Sequence, residues 1–344
     1  MNPVVVVGGY GTFGALVCRE LAARGVSLTV AGRDRGRADT FAASLGYGHN
    51  GAVVDLTKPE SFQALLTGRT VAVNCAGPFA DFDPTFLEGC LASGCHYADI
   101  TDDRRYAATV RRYGPRFAAR GLTVAWGCSS LPGISGALAQ HIRHRVAEPP
   151  RKLRVTLFIG NDNPKGGAAV ASLVLGLGRP IRAPQGTLRG GWGREIVPLP
   201  PPFGRRLVFN FDSPDYDVLD APAVTVKVGF ELGLCTLGLS MLGQSGWRFG
   251  RHTAAFFARA GNRLKDWGCS GGAVMVEAFF AHRAPMRAAV ATPTEGQRMA
   301  ALPCALATLA LLDGVRKPGA YTAYELLGAE RLLNDLEAAG FTIG

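Results

Sequence analysis

The sequence predicts a protein of the α/β class, with a doubly wound parallel sheet in its first third and a region of mixed strands and helices after it. Three observations lead to this class. The chain opens with the continuous β-branched run Val4–Val7, which is typical of a strand buried on both faces of a parallel sheet. A glycine-rich turn and a helical pattern follow this run directly. Strand and helix patterns then alternate with short connections as far as Trp126, an order that implies right-handed crossovers between parallel strands.

The first third contains six predicted strands joined by five predicted helices. Strands are expected at Val4–Val7, Leu28–Ala31, Ala52–Val54, Thr70–Asn74, His96–Ile100 and Leu122–Trp126. Helices are expected at Thr12–Arg24, Arg35–Leu45, Pro59–Leu66, Pro84–Ser93 and Asp103–Arg120. Gly25 should end the first helix, because glycine readily adopts the left-handed conformation found after a helix C-terminus.

The sequence pattern changes after Pro132-Gly133, and strands and helices no longer alternate regularly. Helices are expected up to about Val146 and at Ala168–Leu177, Leu232–Leu242, His252–Asp266, Glu295–Asp313 and Ala323–Ala339. Strands are expected at Leu153–Ile159, Ala223–Phe230 and Ala273–Phe280. Residues 178–222 are rich in Gly, Pro and Arg and support no assignment.

Length and composition limit the classes of protein that the chain can form. A chain of 344 residues with 47% apolar and 19% charged residues is expected to form two domains. No uncharged apolar run reaches the roughly 18 residues that a spanning helix needs, and the start of the chain lacks the basic region of a signal peptide. The eight cysteines contain no C-x-x-C pair, so we expect reduced thiols in the cytoplasm and no metal site.

The chain is basic, with 37 Lys and Arg against 27 Asp and Glu and a net charge of +10. An excess of this sign suggests an anionic partner. However, the chain has no basic tail, no block of cations and no aromatic platform on which bases would stack. We therefore expect a small-molecule substrate and no nucleic acid.

The most informative motif is a G-x-G-x-x-G pattern directly after the first strand and at the start of the first helix. It consists of Gly9, Tyr10, Gly11, Thr12, Phe13 and Gly14. In this context the first glycine permits a tight turn, the second lets a diphosphate approach the backbone, and the third lets the helix pack on the strand. The helix N-terminus then offers amide groups and a positive dipole end to the phosphates. The motif predicts a Rossmann-type dinucleotide site.

The end of the second strand predicts which dinucleotide is bound. An NAD site usually has an acidic residue there to hold the ribose 2′-hydroxyl, whereas here Arg33 follows the strand and Arg35 and Arg37 come close behind. A guanidinium group pairs with a phosphate through two parallel hydrogen bonds. We therefore predict NADP(H), bound by Arg33 and Arg37, and interpret Asp34 as the N-cap of the next helix.

Two further segments are expected along the cofactor. Asp55 follows the third strand, where a carboxylate can accept a hydrogen bond from the adenine amine; a turn or cap ahead of Pro59 is the alternative. Cys75, Ala76 and Gly77 follow the fourth strand, and these small residues would let the backbone run along the cofactor towards the nicotinamide ribose. A plain Gly-Pro turn is the alternative there.

Polar residues that could act on a substrate follow the fifth strand. Ligands of open α/β sheets bind at the carboxyl ends of the strands. Tyr97, Asp99 and Asp102 are therefore candidates to bind the substrate or donate a proton. Alternatively, Thr101 or Asp102 only caps the helix that begins near Asp103.

The turn after the sixth strand is expected near the nicotinamide by the same argument. Its candidate substrate residues are Ser129, Ser130, Pro132 and Gly133. A turn that only joins two domains is the alternative.

The segment 232–258 is apolar and aromatic with interspersed arginines. Such a segment can wall a pocket, pack two subunits together or lie on a membrane surface. We favour the first two interpretations, so a homodimer remains open and peripheral membrane contact is the less favoured alternative.

With these motifs, the chain resembles the saccharopine dehydrogenase-like (saccharopine reductase) family of NADP-dependent oxidoreductases. The resemblance rests on VVVVGGYGTFG, VAGRDRGRA, NCAGPF and GCHYADITDD, and on the late segments TEGQRMAALPCALATLALLDG and LLNDLEAAGF. It covers about the first 135 residues well and the last 75 fairly, while the middle matches mainly in layout.

The resemblance implies an NADP-binding Rossmann domain over residues 1–131 and an inserted mixed α/β domain over 132–293 for substrate binding or dimerisation. Helices in 294–344 would return to the first domain. The motif from Gly9 to Gly14, Arg33 and the loop Cys75–Gly77 would bind NADP, while Tyr97, Asp99 and the turn 130–133 would border the substrate. Leu131 stands where saccharopine reductases tend to have an acidic residue, so we do not expect saccharopine to be the substrate.

These observations together predict an NADP(H)-dependent oxidoreductase that transfers hydride to or from an imine, carbonyl or activated alkene. An enoyl reductase acting on a lipid-like substrate is one alternative, suggested by the apolar segment 232–258. A sensor or structural protein that binds NADP without turnover is another, because no recognisable catalytic pair is present.

Overall fold

The computed structural model of the protein describes residues 3–247, 249–263, 266–314 and 317–344. Its elements are numbered here in chain order. The strands are β1 (Val4–Val7), β2 (Leu28–Gly32), β3 (Asn50–Val53), β4 (Val71–Asn74), β5 (His96–Asp99), β6 (Thr123–Trp126), β7 (Lys152–Ile159), β8 (Pro180–Ala183), β9 (Gly186–Arg189), β10 (Glu195–Pro198), β11 (Arg205–Asn210), β12 (Ala223–Phe230), β13 (Gly272–Phe279), β14 (Met286–Thr292), β15 (Gly319–Thr322) and β16 (Thr342–Ile343).

The longer helical segments are numbered in the same way. They are α1 (Thr12–Ala22), α2 (Arg35–Ser44), α3 (Pro59–Leu66), α4 (Thr85–Ser93), α5 (Arg104–Ala118), α6 (Ser135–Arg145), α7 (Gly167–Gly176), α8 (Asp215–Val218), α9 (Gly233–Gln244), α10 (Arg251–Arg263), α11 (Gly296–Leu312), α12 (Ala323–Leu327) and α13 (Ala329–Ala338). In the part of the chain that the structure describes, none of the helices has the length and apolar character needed to cross a bilayer.

The chain forms two compact units. Unit 1 combines residues 1–129 with residues 300–327, and unit 2 combines residues 130–299 with residues 328–344. Most of unit 2 is thus inserted between the two parts of unit 1 along the chain. The segment 294–344 is divided between the units, because α13 and β16 fall in unit 2.

Unit 1 is built on a seven-stranded parallel sheet in the order β15-β6-β5-β4-β1-β2-β3. The predicted doubly wound α/β fold is confirmed. All residues of β1, β2, β4 and β6 are buried, as expected for central strands with helices on both faces of the sheet. This burial explains why these segments appear in the sequence as continuous apolar runs.

The sequence analysis missed the seventh strand of this sheet. The short segment β15 pairs in parallel with β6, with Gly319 opposite Thr123 and Thr322 opposite Trp126. Four residues near a glycine and a proline carry little pattern of their own. Their strand conformation depends on pairing with a segment about two hundred residues earlier in the chain.

Unit 2 is built on a mixed sheet in the order β10-β11-β12-β7-β13-β14-β16, and β8 and β9 form a separate hairpin. Strands β7 and β12 are parallel, and the other pairs are antiparallel. The predicted mixed α/β character is therefore confirmed. The sequence analysis missed β14 and assigned nothing in 178–222, which holds β8 to β11 and α8. The single helix predicted at 323–339 is two helices separated at Gly328, where φ is +88°.

One face of the second sheet carries a row of paired charges, of which Glu277 and Lys227 are buried. Arg154 of β7 pairs with Glu277 of β13 at 2.6 Å and with Glu195 of β10 at 2.6 Å. Glu277 also accepts from Arg287 at 2.7 Å, and Lys227 of β12 lies 3.0 Å from Glu195. Each charge has a partner of opposite sign, which is the condition under which buried ions are tolerated.

Candidate cofactor and substrate site

The glycine-rich turn after β1 is shaped by four glycines, one more than the motif predicts. Gly8 adopts the left-handed conformation at φ +73°, and a Cβ there would lie 2.7 Å from the amide nitrogen of Ala76. The tight turn expected at Gly9 therefore falls on Gly8. Gly9 is instead required by close packing, because its Cβ would lie 2.8 Å from the carbonyl oxygen of Val6. A Cβ on Gly14 would overlap the carbonyl oxygen of Gly8.

Helix α1 begins immediately at this turn without a capping side chain. Gly11 is its N-cap in extended conformation and donates to the Gly8 carbonyl at 2.9 Å. No side chain caps the helix, and its first turn has no acidic residue. The amides from Thr12 to Gly14 are therefore not occupied by a cap, and a helix end of this kind binds phosphate.

The end of β2 brings together an aromatic ring and two exposed arginines. The Tyr10 hydroxyl accepts a hydrogen bond from the Asp34 amide at 2.9 Å, and the Tyr10 ring covers Gly32, whose Cβ would lie 2.5 Å from it. The Arg37 guanidinium lies over the Tyr10 ring, 4.7 Å from its centre. Arg33 is exposed directly after the strand.

The acidic residue nearest to this position has another role. The Asp34 side chain accepts from the Arg37 amide at 3.0 Å and caps α2, so the predicted N-cap is confirmed. The Asp34 carboxylate is thus used by the helix, while Arg33 and Arg37 are exposed. This arrangement suits a 2′-phosphate and does not suit a free 2′-hydroxyl.

Asp55 lies in the turn after β3, where it organises its own backbone. Its Oδ1 accepts from the Thr57 amide at 3.1 Å and from the Thr57 hydroxyl at 2.8 Å. These hydrogen bonds lower the pKa of Asp55, and the nearby charges of Lys58 and Arg33 lower it further. The carboxylate is therefore ionised and held in place by Thr57. Its expected contact with adenine stays a prediction.

The loop after β4 is fixed by Asn74, a residue to which the sequence analysis assigned no role. Asn74 is buried, and its Oδ1 accepts from the Ala76 amide at 3.0 Å. The Cys75 amide donates to the Val7 carbonyl at 2.8 Å. Cys75 and Ala76 are thereby held against the glycine turn. Gly77, the next residue of the loop, is exposed to solvent.

Asp99 at the end of β5 is completely buried. Its Oδ1 accepts from the Thr101 amide at 3.0 Å and from the Gly127 amide at 2.8 Å. Burial raises the pKa of Asp99 to about 6, although the two amide hydrogen bonds act in the opposite direction. The carboxyl group thus joins the loop after β5 to the loop after β6.

Tyr97 is also completely buried, beneath the same edge of the sheet. Its hydroxyl lies 3.1 Å from the Tyr106 hydroxyl and accepts from the Asn74 amide group at 3.4 Å. Burial raises the pKa of Tyr97 well above its usual value, and the charges of Asp99 and Tyr106 add to the effect. Tyr97 therefore stays protonated and links the loop after β4 to α5.

The remaining candidates lie in two connecting segments. Asp102 is half-buried in the loop between β5 and α5. The cap of α5 is neither Thr101 nor Asp102 but Asp103, which accepts from the Tyr106 amide at 2.8 Å. Loss of the capping alternative leaves Asp102 as a candidate for chemistry.

The turn that contains Ser129, Ser130, Pro132 and Gly133 leads from unit 1 into unit 2 along the chain. All residues of Ser130–Ile134 are buried, and Leu131 within this segment has extended backbone (φ −125°, ψ 124°) that interrupts the helical conformation. Ser129 is half-buried.

The fold and the glycine turn define a Rossmann-type dinucleotide-binding protein. Residues 4–125 match the family model of the saccharopine dehydrogenase NADP-binding domain. A probable mitochondrial saccharopine dehydrogenase-like oxidoreductase of Arabidopsis thaliana is 26% identical over 128 residues, which are 36% of this chain and 28% of that protein. A saccharopine dehydrogenase-like oxidoreductase of Bos taurus is 26% identical over 155 residues, which are 39% of this chain and 36% of that protein. The chain thus matches only about a third of the length of these relatives.

The solved structure of apo saccharopine dehydrogenase (L-Glu forming) from Saccharomyces cerevisiae shares the fold over 100% of this chain and 99% of its own. The TM-score is 0.69 and the sequence identity 14%. The predicted resemblance to the saccharopine dehydrogenase-like family is confirmed, and residues 4–125 are similar to its NADP-binding domain. NADP(H) is the cofactor, as the arginines after β2 predict.

Proposed function

We propose that the chain is an NADP(H)-dependent oxidoreductase that transfers hydride to or from an imine, carbonyl or activated alkene of a small molecule. The observation that carries the proposal is the pair of exposed guanidinium groups of Arg33 and Arg37 at the end of β2, where Asp34 is occupied as a helix cap. The cofactor supplies the hydride. The protein supplies binding, orientation and a proton.

The residues of unit 1 divide the binding of the dinucleotide among them. The uncapped amides at the start of α1 suit the diphosphate, with Gly11 and Gly14 keeping the approach free of side chains. Arg33 and Arg37 suit the 2′-phosphate, and Tyr10 holds the Arg37 guanidinium by a cation–π contact.

Two loops are proposed to complete the cofactor site. Asp55, ionised and held by Thr57, accepts a hydrogen bond from the adenine amine. Cys75, Ala76 and Gly77 border the nicotinamide ribose with their backbone, which Asn74 fixes from below.

Among the candidates for chemistry, Asp102 is the proposed proton donor, because it is the one of the three that is partly exposed. Tyr97 and Asp99 act from beneath the site. Their buried hydrogen bonds fix the positions of the segments that follow β4, β5 and β6. The turn with Ser129, Ser130, Pro132 and Gly133 is proposed to border the substrate.

The principal alternative is an NADP-binding sensor without turnover. The complete burial of Tyr97 and Asp99 favours it, since a catalytic acid needs access to the reacting atoms. An enoyl reductase is a special case of the leading proposal, in which the acceptor is an activated alkene. A cytoplasmic location and a homodimer stay predictions.

Cofactor selectivity is tested by titrating the protein with NADPH and NADH and following nucleotide fluorescence. We expect tighter binding of NADPH, and we expect Arg33→Ala to weaken NADPH binding by about tenfold to a hundredfold while leaving NADH unchanged, since a hydrogen bond to a charged group contributes roughly 1.5–3 kcal/mol. Arg105→Ala, which removes an exposed arginine from α5, is the matched control. Equal binding of both nucleotides by both proteins would contradict the assignment.

The reaction class is tested by following NADPH consumption with three kinds of acceptor: an imine formed from an amine and a 2-oxo acid, a ketone, and an enoyl thioester. Turnover with one class identifies it, and Asp102→Asn should then lower kcat more than it raises KM. Tight NADPH binding with no consumption in any class supports the sensor instead.

A further inference from the structure

Helix α9 leaves large apolar side chains exposed while its fully buried positions are small or polar. Its buried residues are the small and polar Thr236, Ser240 and Gly243. The Thr236 hydroxyl accepts from the Phe230 amide at 3.1 Å, and the Ser240 hydroxyl donates to the Gly191 carbonyl at 2.5 Å. Hydrogen bonds and the packing of Leu239 and Leu242 on the core around Phe209 thus attach this helix to unit 2.

The opposite side of α9 is apolar and faces solvent. Leu234 is 84% exposed and Met241 is 56% exposed, and the two residues are seven positions apart, so they lie on the same face of the helix. The helix contains no charged residue. The large apolar side chains of Leu234 and Met241 are therefore exposed to solvent on a helix without a charged residue.

Helix α10 and the connection before it continue this apolar character and add positive charge. Trp247 in the connection is 75% exposed, and Phe256 of α10 is 66% exposed. Arg259 and Arg263 are exposed three and seven residues after Phe256, on the same side of the helix. The inward side of α10 contains Ala254, which packs with Ala171 and Val174 of α7. We call Leu234, Met241, Trp247 and Phe256 the α9–α10 surface.

The segment between Glu231 and Asp266 carries charge of one sign only. Residues 232–265 contain five arginines or lysines and no aspartate or glutamate. The cations are Arg248, Arg251, Arg259, Arg263 and Lys265. An apolar surface with tryptophan and phenylalanine, beside the exposed Arg259 and Arg263, matches the interface of a negatively charged bilayer in both polarity and charge.

We propose that the α9–α10 surface binds the surface of an anionic lipid bilayer. The apolar side chains of α9 and α10 enter the boundary between headgroups and acyl chains, and Arg259 and Arg263 pair with lipid phosphates. Tryptophan and arginine are well suited to this depth, because each combines an apolar body with a polar end. Binding is peripheral, since no described helix is long and apolar enough to span the bilayer.

The two interpretations that the sequence pattern favours fit these observations less well. Side chains as exposed as Leu234 and Trp247 do not line a closed pocket. A two-fold dimer would place this surface against its own copy, and the exposed Arg259 and Arg263 would then lie near the same residues of the second copy.

The proposal is tested by sedimentation of the full chain with vesicles of phosphatidylcholine alone or mixed with phosphatidylglycerol. We expect binding to the mixed vesicles, weaker binding at high salt, and at least tenfold weaker binding to phosphatidylcholine alone. The variant with Leu234→Ser, Met241→Ser and Phe256→Ser should bind the mixed vesicles at least tenfold less than the wild type. All three side chains are exposed, so the variant should unfold at the wild-type temperature.

Two matched controls test whether any exposed aromatic residue, or any pair of exposed arginines, contributes equally to vesicle binding. Tyr47→Ser removes a fully exposed aromatic residue from unit 1. The pair Arg105→Gln and Arg112→Gln removes two exposed charges from α5, for comparison with Arg259→Gln and Arg263→Gln on α10. The α10 pair should weaken vesicle binding roughly tenfold or more, at about 1 kcal/mol for each arginine, and the controls should not.

Failure of the wild type to bind the mixed vesicles would overturn the proposal, as would equal losses in the controls. Light scattering decides the competing interpretation. If the wild type is a dimer that the serine variant converts to a monomer, with no vesicle binding by either protein, the surface joins two copies of the chain.

Discussion

The buried carboxyl group of Asp215 in unit 2 predicts an unusual dependence of stability on pH. Asp215 is completely buried, and both oxygens accept hydroxyl hydrogen bonds, from Ser135 at 2.5 Å and from Ser213 at 2.5 Å. Burial raises its pKa to about 6, although the two hydroxyls act in the opposite direction. An unfolded chain would titrate this group near pH 4.

The sign of the effect follows from these two pKa values. Between about pH 4 and pH 6, Asp215 keeps its proton in the folded state but has lost it in the unfolded state. The stability due to Asp215 is therefore complete below about pH 4 and is lost as the pH rises through 6. A difference of about two units corresponds to roughly 3 kcal/mol. Asp215→Asn removes this titration, while its amide can still bond to both serine hydroxyls. Relative to the wild type, the variant should therefore gain about 2–3 kcal/mol between about pH 4.5 and pH 7.5.

The measurement is urea unfolding of the wild type and Asp215→Asn at several pH values in that range. Tryptophan fluorescence reports unit 2, because three of the four tryptophans, Trp192, Trp247 and Trp267, lie there. Asp220→Asn, which changes an exposed carboxylate, should show no such dependence. The reasoning fails if the difference in unfolding free energy between wild type and Asp215→Asn is the same at all pH values, or falls as the pH rises.

Two further predictions concern the glycine turn and the second sheet. Gly14→Ala should reduce NADPH affinity at least tenfold, because its Cβ would overlap the Gly8 carbonyl and push α1 away from the turn; fluorescence titration measures this, and unchanged affinity would contradict it. Glu277→Gln should destabilise unit 2 by about 3 kcal/mol in urea unfolding, because it leaves the buried Arg154 guanidinium with one fewer carboxylate. Asp220→Asn breaks an exposed ion pair and should cost under about 1 kcal/mol, so equal losses would argue against the buried network.

The first sheet was predictable from sequence because its central strands are buried on both faces. Val4–Val7 and Val71–Asn74 are continuous apolar or nearly apolar runs, and such a run can be recognised without knowing its neighbours. By contrast, β15 has no such run, and its conformation depends on pairing with β6. The strands between 178 and 222 are also short and lie between glycines and prolines, so their pairing partners determine them.

The cofactor site was predictable in its residues but not in the role of each. The letter pattern assigns the tight turn to Gly9, yet the positive φ falls on Gly8. Gly8 lies close to the backbone of Ala76, which belongs to the loop after β4. Polar residues at the end of β5 suggest reactive groups, but the contact of Asp99 with the Gly127 amide appears only when β5 and β6 are adjacent in the sheet. The roles of these residues depend on contacts between segments that are distant in the chain, and a single sequence does not show which segments are in contact.

The central claim is that the arginines after β2 recognise the 2′-phosphate of NADP(H), and calorimetric titration with adenosine 2′,5′-bisphosphate and with AMP tests it most directly. These two ligands differ only in that phosphate and contain no nicotinamide, so neither turnover nor a missing substrate affects the result. We predict that the wild type binds the bisphosphate at least tenfold more tightly than AMP, and that Arg33→Ala removes most of this difference. Equal affinities for the two ligands in the wild type, or a preference that survives Arg33→Ala together with Arg37→Ala, would contradict the claim.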